Sequence, residues 1–130
     1  MYCWGDNHYG GLGNGSSVAS NVPVAVTGGL SFTAVSVGDA FACGLTTTGS
    51  AYCWGYNGNG QLGIGTVNAS GVPAAVLGSL HFASISAGYS STCAVTSGGA
   101  GYCWGDNAFG ELGIASTFQS ITPALVATPP

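Results

Sequence analysis

The chain repeats itself with a fixed period of fifty residues, and no other feature restricts its fold so tightly. Tyr2-Cys3-Trp4-Gly5-Asp6-Asn7 returns as Tyr52-Cys53-Trp54-Gly55-Tyr56-Asn57 and again as Tyr102-Cys103-Trp104-Gly105-Asp106-Asn107. Each copy continues with Gly, Leu-Gly and a later proline (Pro23, Pro73, Pro123), without insertion or deletion. A period of about 50 residues is that of propeller blades or solenoid units, none of which buries its apolar faces without a neighbour. The cores of such a chain lie between repeats. Its organisation reads as one array over residues 1–130, with a partial repeat at 1–30 and further repeats at 31–80 and 81–130.

Between Val22 and Trp54 four short stretches, 22–26, 32–37, 40–46 and 50–54, place β-branched or aromatic residues among small ones. Gly, Ser, Thr and Asn separate them, and no helical period is sustained, so each reads as a strand. The expected class is all-β: a propeller-type tandem repeat with four-stranded blades, comprising two blades and part of a third.

Cys43 and Cys53 are ten residues apart, as are Cys93 and Cys103. If each pair faces across a hairpin, Gly44 meets Tyr52, Ala42 meets Trp54, Ala94 meets Tyr102 and Thr92 meets Trp104. Large residues then oppose small ones in two separate repeats, and directly opposed positions are close enough for a disulfide. Two such bridges imply an oxidising, extracellular or cell-surface location. Buried reduced thiols are the alternative, whereas a metal site lacks the close cysteine spacing and any recurring histidine. Cys3 remains unpaired, because its periodic partner would precede Met1. Met1 itself falls inside an expected strand, so the reading anticipates a longer exported precursor or an upstream portion beyond this sequence.

Lys and Arg are absent, and the only acids are Asp6, Asp39, Asp106 and Glu111. Without cations the chain lacks the electrostatic attraction that dominates nucleic-acid binding, and it has nothing to hold an anionic membrane surface. Gly or Ser interrupts every apolar run well short of a membrane span, so membrane insertion is not expected.

The pattern Tyr-Cys-Trp-Gly-x-Asn-x-x-Gly-x-Leu-Gly, at Tyr52 to Gly63 and in its two copies, resembles the repeat of the regulator of chromosome condensation (RCC1) family, with Cys43 to Thr46 similar to the strand leading into it. The resemblance implies a propeller, usually of seven blades, and the paired cysteines look like a bacterial and extracellular branch. Its precedents include a secreted inhibitor of β-lactamases and an intracellular exchange factor, of which the second fits poorly with exported, cysteine-paired repeats. Within each copy Gly60 and Gly63 suit tight backbone geometry, Leu62 a core between blades, and Asn57 a bond to loop backbone. Recurrence gives these residues, together with Trp4, Trp54 and Trp104, a structural duty.

Catalysis would require titratable groups gathered where the repeats differ, and no triad, carboxylate pair, metal or phosphate-loop constellation emerges. No enzyme, cofactor or metal is expected. His8 and His81 read as solvated or locally bonded side chains. Asn14-Gly15-Ser16 and Asn68-Ala69-Ser70 fit the N-glycosylation sequon. Positions that differ between copies are the candidates for partner binding: His8, Tyr9, Asp39, Asn59, Tyr89 and Phe109. The foremost reading is a structural or adhesive extracellular protein whose blades stack into oligomers or filaments. The alternative is a protein-binding segment of a larger closed secreted propeller, inhibitor-like or receptor-like. Glycan binding through exposed aromatics ranks below both.

Overall fold

A computed structural model describes all residues from Met1 to Pro130. Ten strands and no helix form three antiparallel sheets. β1 (Tyr2–Gly5) and β2 (Ser20–Ala25) make a two-stranded sheet. β3 (Phe32–Val37), β4 (Phe41–Thr46), β5 (Ala51–Gly55) and β6 (Ser70–Ala75) follow one another in a four-stranded meander. β7 (Phe82–Ala87), β8 (Ser91–Thr96), β9 (Gly101–Gly105) and β10 (Ser120–Leu125) repeat it.

The sequence groups Val22–Val26 with the three stretches that follow it, and the structure corrects this. β2 turns back onto β1, with Cys3 opposite Val24 and Tyr2 opposite Ala25. The cause is the loop between them, which a buried asparagine folds into a compact return. In the central repeat the Leu62 N–H donates to Asn57 Oδ1 at 2.9 Å, while Asn57 Nδ2 donates to the carbonyls of Thr66 and Asn68 at 2.8 and 2.9 Å. Asn7 and Asn107 make the corresponding bonds, and all three are buried. One amide thus satisfies three backbone groups that the loop would otherwise bury unpaired.

The cysteine hairpins adopt the register read from the sequence. Cys43 faces Cys53 with Gly44 on Tyr52 and Ala42 on Trp54, and Cys93 faces Cys103 with Ala94 on Tyr102 and Thr92 on Trp104. Both pairs are bridged across 4.1 Å between Cα atoms, and Cys3 is free.

Repeats join through their tryptophans. Trp54 Nε1 donates to the Gly11 carbonyl at 3.0 Å and Trp104 Nε1 to the Gln61 carbonyl at 2.9 Å, so each indole reaches the loop of the repeat before it. Phe82 tilts against Trp104 with ring centroids 6.0 Å apart, and Phe32 lies 5.6 Å from Trp54. Leu62 is buried beside Trp104, Phe41 and Phe82 in the core between the two complete sheets. The backbone adds cross-repeat bonds from Gly15 N–H to the Gly71 carbonyl and from Gly65 N–H to the Ile121 carbonyl, both at 2.9 Å. Gly63 has a φ of +68°, and a Cβ there would stand 2.7 Å from Trp104 Nε1.

Two outcomes check this account in urea unfolding. Asn57→Ala strips three backbone groups of their partner and is expected to destabilise by about 3 kcal/mol. Gly63→Ala, which combines a left-handed backbone with a clash against the indole, is expected to cost more than Gly113→Ala. The latter has φ +64° but only a 3.4 Å contact to Val126, leaving the backbone cost of about 1 kcal/mol. Alkylation of the folded chain is expected to label one cysteine before reduction and all five after it, read by intact mass.

Candidate functional site

An antiparallel meander sends alternate turns to opposite ends of a sheet. The β3–β4 and β7–β8 turns therefore share one end with the long loops that follow β1, β5 and β9. All six candidate partner-binding residues lie in these turns and loops: His8, Tyr9, Asn59 and Phe109 in the long loops, Asp39 and Tyr89 in the short turns. They form one rim of the array.

The rim is aromatic, and it also carries all four acids of the chain, Asp6, Asp39, Asp106 and Glu111. Phe109 is 94% exposed and Tyr89 78%, and the sequence reading passed over Phe118, which is 82% exposed on the same rim. Only alignment of Val18, Asn68 and Phe118 across the copies would have singled it out. The Phe109 N–H donates to Glu111 Oε2 and the Asn59 N–H to Gln61 Oε1, each at 2.9 Å. These acceptors stiffen the loop tips that carry the variable side chains. Asn59 is half-buried, and Tyr9 is held between His8 and Tyr56 with centroids at 4.6 and 4.7 Å, so these two present less free surface than Phe109. His81 lies at the opposite end, its Nδ1 2.9 Å from the Thr48 carbonyl oxygen.

Three of the candidates, His8, Tyr9 and Asp39, also line a cleft of about 480 Å³ between β1 and the β3–β4 hairpin. Its walls are mostly apolar and include Met1, Trp4, Val35, Val37 and Phe41, none of which the sequence marks as exposed functional surface. Trp4 departs most from expectation. It is 63% exposed where Trp54 and Trp104 are fully buried, and neither a carbonyl nor a phenylalanine meets its indole as Gly11 and Phe32 meet that of Trp54. Cys3 is half-buried in the same cleft, and burial pushes its thiol above the ordinary range, opposed by the nearby terminal ammonium.

No three His, Cys, Asp or Glu side chains gather closely enough to hold a metal ion. No helix of the structure is long and apolar enough to cross a membrane. Of the two sequon asparagines, Asn68 is exposed and bonds through its backbone, with its N–H on Thr66 Oγ1. Asn14 is half-buried, and its Oδ1 accepts from Asn7 and from the Ser16 N–H.

Comparison with known proteins rests on the same blade. Two models of the regulator of chromosome condensation (RCC1) repeat match, one over residues 1–45 and 48–95, the other over 32–61 and 82–111. A search of curated proteins gave no significant match. Among solved structures, yeast RCC1 (Prp20) bound to Kap60 superposes with a TM-score of 0.84 at 19% identity, over 98% of this chain and 33% of that one. Prp20p from Saccharomyces cerevisiae, described with its binding to Gsp1p and histones, gives 0.83 at 20% identity over 98% and 34%. Human WBSCR16 gives 0.81 at 22% identity over 97% and 34%. The chain spans about a third of the length of these structures. With a repeat model matching well over half of its residues, and with its blades superposing on those propellers, the chain belongs to the regulator of chromosome condensation (RCC1) repeat family.

Proposed function

We propose that this chain is a non-enzymatic protein-binding repeat module of an extracellular or cell-surface protein, and that the aromatic rim is the surface it presents. The observation that carries the reading is the placement of the copy-to-copy differences. The motif residues that recur are spent on holding blades together, whereas Tyr89 and Phe109 occupy positions that vary and stand clear of the core. Exposed aromatics are costly to leave in water and serve well as interface anchors. Two disulfides support the export half of the proposal.

Assembly of the chain with itself by blade stacking is a second reading, favoured by one observation. Val35, Val37, Tyr2 and Trp4 form an exposed apolar face beside β1, and the surface offers no Lys or Arg to discourage association. In this reading the product is a structural or adhesive oligomer or filament, and the rim is incidental.

The two readings separate in one pair of measurements. Tyr89→Ser, Phe109→Ser and Phe118→Ser together change exposed side chains only and are expected to leave the urea midpoint within about 0.5 kcal/mol per site. Retention of a defined cell-surface protein by the unaltered chain, weakened at least about tenfold in the triple variant, supports the rim. Undiminished retention by the variant overturns it. A regular polymer in light scattering, identical for both chains, favours stacking instead.

A further inference from the structure

The carboxylates of the chain all stand at one end of the array. Asp6, Asp106 and Glu111 lie in the long loops after β1 and β9, and Asp39 lies in the β3–β4 turn. The opposite end, formed by the β4–β5 and β8–β9 turns and the β2–β3 and β6–β7 connections, carries no acid. Because the chain has neither Lys nor Arg, no such side chain balances these charges, and they sum to a field of one sign along the rim.

The fold does not require these carboxylates. Tyr56 stands where Asp6 and Asp106 do, Tyr89 where Asp39 does, and Gly11 and Gln61 where Glu111 does. Glu111 Oε2 accepts from the Phe109 N–H at 2.9 Å, yet Gln61 Oε1 accepts from the Asn59 N–H at the same distance without any charge. The exposure of the neighbouring aromatics belongs to their positions in the repeat. Val18 and Asn68, the counterparts of Phe118, are exposed although a further repeat follows each, and Asp39 is exposed like its counterpart Tyr89. Acids and exposed aromatics therefore meet on one surface at positions that the repeat leaves free.

We propose that the rim takes a protein partner whose contacting surface carries Lys or Arg side chains among apolar ones. This rests on the rim being the surface that the chain presents, and it names the chemistry of what comes to it. Carboxylates on the loops draw a cationic surface in and select against an anionic one. Tyr89 and Phe118 offer ring faces to the arriving ammonium or guanidinium groups. Apolar area then holds the complex, because exposed charge pairs contribute little each. A second copy of this chain is not the occupant, since it would bring its own acids and no Lys or Arg.

A display library of random-sequence cyclic peptides, panned on the full chain at physiological salt, supplies the probe. Selected peptides are expected to be richer in Lys and Arg than the library. They are expected to bind at least about fivefold more weakly when salt rises from about 0.05 to about 0.5 M. Asp6→Asn, Asp39→Asn, Asp106→Asn and Glu111→Gln together replace each carboxylate by an amide whose oxygen still accepts, as that of Gln61 does, so the urea midpoint is expected to hold. This amide variant is expected to bind the peptides at least about tenfold more weakly, mostly through slower association. Peptides that bind the amide variant undiminished but are lost on Tyr89→Ser, Phe109→Ser and Phe118→Ser overturn the cationic partner and leave the rim standing. Peptides that survive both sets of substitutions overturn both readings. A panning that yields no binders richer in Lys and Arg than the library also overturns the proposal.

Discussion

Trp54 and Trp104 each have the indole N–H satisfied by a main-chain carbonyl of the repeat before, and the geometry of the array follows from that bond. A buried indole must find an acceptor. Here the acceptor is supplied by the loop that the motif asparagine folds, and the ring is brought against it by the phenylalanine of its own blade. Glycine at position 63 is required because the indole occupies the space a side chain would take. Asparagine, glycine and tryptophan therefore act as one unit spread over two repeats, which is why they recur together.

Much of this was legible in the sequence and some was not, for reasons of range. The cysteine hairpins were readable because pairing over ten residues is local and the opposed sizes, Gly44 on Tyr52 and Thr92 on Trp104, agree in both copies. The role of Asn57 was readable because its partners lie within its own loop. The tryptophan bond spans 43 residues and ends on a carbonyl, which carries no side-chain identity: the acceptor is Gly11 in one copy and Gln61 in the next. Trp4 is exposed with its motif intact, because an indole of this array is buried by neighbours outside the motif rather than by the motif itself. The return of β2 onto β1 was hidden for a related reason, since strand proximity in sequence favoured the wrong pairing.

The rim suits one kind of contact. Side chains such as Phe109 and Phe118 stand on loops whose backbones are already satisfied, so what they offer is apolar area with a shape set by the loop. With no Lys or Arg and with all four acids on the rim, the charge attraction this surface offers is for cationic groups, and salt weakens it.

The direction of the tryptophan bond gives the array a polarity in time as well as in space. Trp104 reaches back to Gln61, and Trp54 to Gly11, so each indole docks on a loop that left the ribosome earlier. A tryptophan emerging during synthesis finds its acceptor loop already made, whereas the Gly15 and Gly65 N–H groups wait for the Gly71 and Ile121 carbonyls of the repeat that follows. Adjacent repeats are thus tied in both chain directions, backwards by the indoles and forwards by the glycine N–H groups.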